Sequence, residues 1–346
     1  MTQLPSSGTF GALGSFSQDG SVDVVSVLFS THAAYLEHLA GPRHPERPER
    51  LQAVLSGIRR HASPDALIPL EPIAASREDL ERVHPRAYLD RIEHISTSGG
   101  GRLDPDTYAS PGTWRAATLA AGAGLTAAEA LRRGEGDAAF CAVRPPGHHA
   151  NQTESMGFCL ISNVAVLASS LADQGERVLI LDYDAHHGNG TQDVFYTDGS
   201  VMFFSTHQHP WYPGSGLPDE TGEGKGKGRI VNRPFAAGAG RDEILGAFRE
   251  SLKPAADAFK PDLVIISAGF DSRKDDPLGR FRLSVTDATN AVADPLPAKV
   301  REIVSNVPPE RRSPAQTAAV FSHWRTVVPE FMEANARIEA LWKQWP

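Results

Sequence analysis

The chain has 346 residues, with a hydrophobic fraction of 40% and a charged fraction of 22%, values typical of a globular protein with a sizeable core. Its formal net charge is -8 and no lysine or arginine cluster marks a phosphate-binding face, so direct nucleic-acid binding is not expected. No run approaches the ~18 apolar residues of a membrane span, and the first 20 residues lack the pattern of a signal peptide. The two cysteines, Cys141 and Cys159, fit neither a metal knot nor a disulfide framework, which favours a cytoplasmic protein.

The sequence divides into three parts. Residues 1–24 are predicted to be a flexible N-terminal tail, residues 25–284 one α/β domain, and residues 285–346 an atypical helical C-terminal segment. Within the domain, short apolar runs alternate with longer helical patterns. This alternation predicts a central parallel sheet with helices on both faces.

The predicted elements follow in chain order. The aliphatic runs that predict strands are residues 25–29, 138–143, 178–181, 201–204 and 263–267. Between the first two, a helix is predicted with Ser110 as its N-cap, Pro111 at its first position and Gly134 at its end. Another helix is predicted over residues 242–259, after a glycine-rich loop at 214–240 that encloses a short strand. His207 and His209 are interpreted as loop histidines rather than metal ligands, and no role is assigned to them.

Charged side chains directly follow the buried strand 178–181. They are Asp182, Asp184, His186 and His187 in the run DYDAHH. Ligands of open α/β sheets bind beyond the carboxyl ends of strands, and such groups are costly to bury unless a metal or a hydrogen bond satisfies them. The run therefore predicts a functional site at this end of the sheet.

Two further predicted strands end in groups of the same kind. Strand 263–267 leads to Asp271, and strand 138–143 leads through a proline-rich turn to His148 and His149. An Asp, a His and a second Asp form a three-ligand set with one open position, the arrangement of catalytic zinc. Such a zinc ion polarises a carbonyl and a neighbouring histidine pair transfers protons, so the predicted chemistry is hydrolysis of an amide or related compound.

Several motifs together resemble the histone deacetylase superfamily, most closely its class II and bacterial acetylpolyamine amidohydrolase branch. They are RHPERPERL at 43–51, VHPRAYLDRI at 83–92, LDPDTYASPG at 103–112, RPPGHHA at 144–150, GFC at 157–159, LDYDAHHGNGTQ at 181–192, PGSG at 213–216 and SAGFDSRKDDPLG at 267–279. The resemblance covers roughly residues 25–284 and implies the arginase/deacetylase-like α/β fold.

The resemblance also implies a role for individual residues. Zinc ligation is implied for Asp184, His186 and Asp271. His149 would be the general base and acid, with its ring positioned by Asn189. His148 would have an electrostatic role, with its ring positioned by Asp182. The implied tunnel walls are Gly157, Phe158 and Tyr212, and a potassium ion beside the zinc would involve Asp182 and Ser205. Such a tunnel suits the apolar stem of an acylated lysine or polyamine as substrate. The resemblance leaves an oligomer open.

The main departure from the family lies downstream, where the family has a final strand and a Gly-Gly-Tyr turn that directs a tyrosine to the substrate carbonyl. In this chain the last tyrosine is Tyr212 and the last glycine is Gly279, so residues 280–346 contain no such turn. Two alternatives therefore stay open. One is a zinc-loaded module that binds acyl-lysine-like ligands with little or no turnover.

The other alternative is a two-metal ureohydrolase of the arginase type, which shares the fold. Its pattern has a further aspartate two places after the ligating histidine, where this chain has Gly188. The sequence therefore favours one metal ion over two.

Overall fold

The computed structural model describes residues 26–62 and 67–283. The predicted N-terminal tail, residues 1–24, and the predicted helical segment, residues 285–346, lie outside the described residues. The strands are β1 (Val27–Ser30), β2 (Leu67–Leu70), β3 (Gly101–Asp104), β4 (Thr107–Ala109), β5 (Ala138–Cys141), β6 (Val178–Asp182), β7 (Val201–Gln208), β8 (Ile230–Phe235) and β9 (Leu263–Ser267). The α-helices are α1 (Pro48–His61), α2 (Arg77–Glu81), α3 (Arg86–Thr97), α4 (Thr113–Arg132), α5 (Asn163–Asp173), α6 (Asn189–Phe195), α7 (Arg241–Ala247) and α8 (Lys253–Phe259).

The α/β class is confirmed, but the described parallel strands form two sheets rather than one. The first sheet has the order β2-β1-β5 and the second has the order β8-β7-β6-β9, with every pair parallel. Strands β3 and β4 form a separate antiparallel pair. The end strands β5 and β9 of these two sheets share no ladder.

Helices cover both faces of the larger sheet, because its central strands are apolar in both directions. Val178 and Ile180 of β6 belong to the core cluster that contains α3, α4 and α5. Leu179 and Leu181 belong to the cluster on the opposite face, with α7 and α8. This arrangement buries β6 completely and brings its carboxyl end to the same edge as that of β9.

The predicted start of the long helix α4 is wrong. The helix begins at Thr113 with Gly112 as its N-cap, and Ser110 lies before it in a turn. The Ser110 hydroxyl instead accepts a hydrogen bond from the Leu39 N–H at 3.0 Å and donates one to the Glu37 carbonyl at 2.9 Å. A serine hydroxyl can cap a helix or bond to other backbone groups, and here its partners are the backbone groups of residues 37 and 39.

The predicted helix over residues 242–259 is present but interrupted. A π-helical turn, Phe248–Leu252, joins α7 to α8. Pro254 lies in the first turn of α8 and has no N–H for the carbonyl four residues earlier, so the regular hydrogen-bond ladder cannot run through it. None of the helices in the described part of the chain has the length and hydropathy to cross a bilayer.

His84 ties the turn after α2 to the loop before α5 and is fully buried. One ring nitrogen, Nδ1, lies 3.1 Å from the Gln152 carbonyl, and the other, Nε2, accepts the Ser162 N–H at 3.0 Å. This pair of partners requires a neutral ring with its proton on Nδ1. Burial lowers the pKa of His84 to about 4.

We expect this histidine to make the protein sensitive to acid. The unfolded chain takes up a proton near pH 6.5 and the folded chain only near pH 4, so the free energy of unfolding falls as the pH decreases through that window. The contribution of His84 is on the order of 1–3 kcal/mol. Urea unfolding at several pH values, compared between the wild type and His84→Gln, measures it; an identical pH dependence in both proteins would contradict the assignment.

Candidate active site

Three side chains from two adjacent strand ends converge on one point. Asp184 and His186 follow β6, and Asp271 follows β9. His186 Nδ1 lies 3.0 Å from Asp184 Oδ1 and 2.7 Å from Asp271 Oδ2, and one ligand atom from each of the three lies within 4.8 Å of the others. These are the three residues predicted as metal ligands, and the structure brings them together.

The chemistry of this cluster fits a divalent cation. Burial and the charge of Asp184 raise the pKa of the Asp271 carboxyl to about 6, because two carboxylates share a small space. Burial opposes a charge on His186, but hydrogen bonds and the charges of both aspartates still raise the pKa of its ring to about 11. The cluster therefore attracts positive charge strongly, and its donor set of one nitrogen and two carboxylates is one that zinc uses in catalytic sites.

Backbone N–H groups hold the two carboxylates in place. Asp184 Oδ1 accepts the His186 N–H at 2.8 Å, and Asp271 Oδ1 accepts the Ala185 N–H at 2.8 Å. Each carboxylate therefore retains an oxygen, Oδ2, that these backbone groups do not occupy. The loop after β6 thus orders both ligands as it folds.

His148 lies beside this cluster and is paired with Asp182. Its Nδ1 lies 3.0 Å from Asp182 Oδ2, and its Nε2 lies 3.9 Å from Asp184 Oδ2. Burial alone disfavours a charged ring, but the charges of Asp182 and Asp184 raise the pKa of His148 to about 9. His148 is therefore set up to carry positive charge, as predicted for the electrostatic histidine.

His149 favours a neutral ring, although its ring centroid lies only 4.0 Å from that of His148. Burial and the neighbouring His148 lower the pKa of His149 well below its ordinary value. Its Nδ1 lies 2.8 Å from Asn189 Oδ1, so Nδ1 carries the proton and Nε2 is the basic nitrogen. The two histidines thus differ in charge, and the neutral one is ready to accept a proton.

Gly157 and Phe158 form a wall against His149. A Cβ on Gly157 would lie 2.3 Å from His149 Cδ2, and both residues have positive φ values, 56° and 70°. Asp106 and Thr107 hold this strained turn, since Asp106 Oδ1 accepts the Gly157 N–H and Thr107 Oγ1 accepts the Phe158 N–H. The role of Asp106 and Thr107 was missed, although both lie in the quoted LDPDTYASPG motif.

Tyr212 forms the other aromatic boundary. Its ring centroid lies 5.2 Å from that of His149 and 6.2 Å from that of His186, both edge to face. The residue is 39% exposed, so one side of the ring is open to solvent while the other contacts the site. Tyr212 and Phe158 line the same cavity as the histidine pair.

Asp182 and Ser205, predicted beside a potassium ion, are direct neighbours in the ladder between β6 and β7. Both are fully buried. The Ser205 hydroxyl lies 2.9 Å from His207 Nδ1, and Asp182 Oδ1 accepts the Asp184 N–H at 3.1 Å. The register places these two oxygen-bearing side chains on adjacent strands but does not identify an ion.

A buried polar network behind the site was not predicted. His207, interpreted as a loop residue, belongs to β7 and is fully buried, with Nε2 at 3.0 Å from the Gly216 carbonyl. His187 Nδ1 lies 2.8 Å from the Ser215 hydroxyl. The Glu220 carboxylate accepts a hydrogen bond from the Gln192 side-chain amide at 2.6 Å. It also accepts hydrogen bonds from the backbone N–H groups of Gly216 and Leu217 in its own loop. This network fixes the loop after β7, which carries Tyr212.

Comparisons with known proteins show the family to which the chain belongs. Residues 44–301 match the Histone deacetylase domain. A probable deacetylase of Archaeoglobus fulgidus is 42% identical over 264 residues, which are 75% of this chain and 73% of that protein. The chain belongs to the histone deacetylase family. Its family chemistry is the hydrolysis of amide bonds, and the predicted resemblance is confirmed.

Other relatives and a solved structure support the same assignment. A histone deacetylase-like amidohydrolase of Pseudomonas aeruginosa is 39% identical over 252 residues, 70% of this chain and 65% of that protein. Histone deacetylase 15 of Arabidopsis thaliana is 41% identical over 68% of this chain and 44% of its own length. The crystal structure of the HDA15 HD domain superimposes with a TM-score of 0.75 at 31% identity, covering 90% of both chains. The arginase/deacetylase-like fold is therefore confirmed.

We expect the Asp182→Asn variant of this deacetylase-family chain to lose activity without losing metal. A neutral amide no longer supports a positive charge on His148, and replacing such an outer partner typically costs ~10–100-fold. Steady-state turnover and metal content of the same preparation are the two measurements. Asp193→Asn in α6 is the matched control. If Asp182→Asn were as active as this control, the role of Asp182 in supporting a charge on His148 would be contradicted.

Proposed function

We propose that the protein is a zinc-dependent deacetylase that removes an acyl group from an acylated lysine, a polyamine or a similar amine. The observation that carries this proposal is the convergence of Asp184, His186 and Asp271 beside a histidine pair in which Asp182 holds His148 and Asn189 holds His149. Membership in the histone deacetylase family supports the reaction class.

Asp184, His186 and Asp271 would hold the zinc ion. When bound, the ion would supply Lewis acidity, polarising the substrate carbonyl and making a water molecule more acidic. One ion per chain is proposed, because the cluster offers three ligands within a single small volume. A potassium ion near Asp182 and Ser205 is proposed as a second, structural cation.

His149 would carry the proton transfers. Its Nε2 accepts a proton from the attacking water and later returns it to the leaving amine nitrogen, while Asn189 keeps the Nδ1 proton in place. His148 remains charged through Asp182 and stabilises negative charge that develops on the carbonyl oxygen. The atoms balance: water adds to the carbonyl carbon, the C–N bond breaks, and the amine leaves with the proton.

Gly157, Phe158 and Tyr212 would bind the stem of the substrate. The absence of a side chain at Gly157 lets the wall approach His149, and the two aromatic rings enclose an apolar alkyl chain.

The proposal is tested by turnover of acetyl-lysine peptides and acetylpolyamines by the zinc-reconstituted full chain. We expect release of acetate that stops when a chelator removes the metal, and that falls by ~10²-fold or more in His149→Ala with its zinc retained. Hydrolysis that survives both treatments would overturn the proposal.

A second candidate is a zinc-loaded binding module, favoured by the absence of tyrosine from residues 213–346. It predicts tight binding of a hydroxamate together with no turnover of any acylated amine.

A further inference from the structure

The side chain of Asn189, the hydrogen-bond partner of His149, could face that ring in two ways. Its amide has an oxygen that accepts and a nitrogen that donates hydrogen bonds, and the two ends have almost the same shape. A neutral imidazole can also donate or accept at Nδ1, depending on which ring nitrogen carries the proton. Either orientation of the amide would therefore satisfy a contact of 2.8 Å with His149 Nδ1.

The two orientations have opposite consequences for the histidine. When the amide oxygen faces the ring, Nδ1 of His149 carries the proton and Nε2 is free to accept another. When the amide nitrogen faces the ring, Nδ1 must accept and the proton lies on Nε2. In that tautomer Nε2 cannot take a proton from water. A group that fixes the amide of Asn189 therefore also decides which ring nitrogen is the base.

Met156 contacts the other end of this amide. The Asn189 side-chain nitrogen Nδ2 donates a hydrogen bond to Met156 Sδ at 3.4 Å. A thioether sulfur has no hydrogen and can only accept. Within the described part of the chain, the polar contacts of the amide are His149 on one side and Met156 on the other. Because His149 can adapt to either orientation and the sulfur cannot, the sulfur selects the orientation.

The backbone on both sides of this contact is fixed, so only the amide itself can turn. The Met156 carbonyl accepts the Cys159 N–H at 2.9 Å in the turn that also carries the wall residue Gly157. Asn189 begins α6, and its N–H donates to the His187 carbonyl at 2.9 Å. The last torsion of an asparagine side chain has two comparable positions about half a turn apart, and the local partners choose between them.

We propose that Met156 is a positioning residue whose sulfur sets the orientation of the Asn189 amide and thereby keeps the proton of the His149 ring on Nδ1. The inference rests on the proposed function, in which Nε2 of His149 accepts a proton from water. Met156 acts through Asn189 and not through the substrate. An aspartate at residue 189 would accept hydrogen bonds at both oxygens and would need no such partner, so the sulfur matters because residue 189 is an amide.

The test measures the tautomer of His149 in the full chain labelled with ¹⁵N-histidine. Proton–nitrogen correlation spectra distinguish protonated from unprotonated ring nitrogens, and the His149 signals are those lost in His149→Ala. They are recorded at a pH where the ring is neutral. We expect the wild type to carry the proton on Nδ1. In Met156→Leu, which has no acceptor, the ratio of the Nε2–H to the Nδ1–H tautomer should rise about 2- to 10-fold, the effect of one net hydrogen bond.

Two further variants reverse and restore the tautomer. Met156→Lys replaces the acceptor by a donor of similar length, so the amide should turn and the Nε2–H tautomer should dominate. Adding Asn189→Asp to this variant should return the proton to Nδ1, because a carboxylate accepts from both neighbours. Met202→Leu is the matched control, since it removes a thioether from the core cluster on the opposite face of the larger sheet. It should show the wild-type tautomer.

The proposal is overturned by a proton on Nε2 in the wild type, or by a reversed tautomer that Asn189→Asp does not restore. An unchanged ratio in Met156→Leu also overturns it, whether or not Met156→Lys folds.

Steady-state kinetics separate positioning from a structural role in the wall beside Gly157. In Met156→Leu and Met156→Lys we expect kcat for acetyl-lysine peptides to fall in proportion to the remaining Nδ1–H fraction, with KM unchanged. A higher KM with the wild-type tautomer would instead assign Met156 to the wall and overturn the proposal. The spectra do not depend on catalysis. A chain that shows the expected tautomers but hydrolyses no acylated amine would contradict the proposed function alone.

Discussion

Replacing Asp271 by alanine is expected to abolish retention of zinc by the purified protein. The cluster offers three protein ligands, and removal of Asp271 leaves only Asp184 and His186, two residues apart on one loop, which cannot enclose an ion. The same loss is expected for Asp184→Ala and His186→Ala. A bound zinc ion would also offset the repulsion between the Asp184 and Asp271 carboxylates. We therefore expect zinc to stabilise this end of the sheet.

The measurement is the zinc-to-protein ratio after extensive dialysis, determined by elemental mass spectrometry. We expect a ratio of one zinc ion per chain in the wild type and little or no retained zinc in each of the three variants. Asp219→Ala removes an exposed carboxylate from the loop after β7 and serves as the control. Stoichiometric zinc in any ligand variant removes that residue from the site, and two manganese ions in the wild type would restore the arginase-type alternative.

Ordinary acetyl-lysine peptides are expected to be hydrolysed slowly and trifluoroacetyl-lysine peptides much faster. No tyrosine occurs in residues 213–346, so we expect these residues not to supply the tyrosine hydroxyl that the family resemblance implies, and His148 with the cation to stabilise the developing oxyanion. Loss of one preorganised donor typically costs ~10²–10³ in rate. A trifluoroacetyl group withdraws electrons from the carbonyl, so its oxyanion depends less on that donor.

The two substrates are compared as matched peptides of identical sequence, with the same leaving lysine. His149→Ala supplies the background rate for each. Comparable and fast rates on both peptides would show that another side chain provides the donor.

The location of the metal-ligand cluster could be predicted from a rule that the sequence displays directly, whereas the choice of its three ligands was implied by the family resemblance. Asp184, His186 and Asp271 all follow aliphatic runs, and the carboxyl ends of parallel strands share an edge. These three side chains then converge if the aliphatic runs that precede them are strands of one sheet. The pairing of His148 with Asp182 and of His149 with Asn189 came from the family resemblance, and the distances of 3.0 and 2.8 Å agree with it.

The supporting contacts could not be predicted, because they join residues that are far apart in the sequence. Asp106 holds Gly157 across 51 residues, and nothing local in the sequence marks that partnership. His207 was misjudged because the aliphatic run ends at Phe204, whereas β7 continues to Gln208 along the buried edge of β8. The gap between β5 and β9 has the same origin, since the order of strands in a sheet is a long-range property.

Gly188 has an implication for how such sites diverge. A Cβ there would lie 2.4 Å from Asp182 Oδ2 and 3.3 Å from His148 Nδ1. A carboxylate at this position, as in the two-metal pattern, would displace the partner that keeps His148 charged. In this chain a carboxylate at residue 188 is therefore incompatible with the present pairing of His148 and Asp182, so a second metal ligand there would require that pair to rearrange.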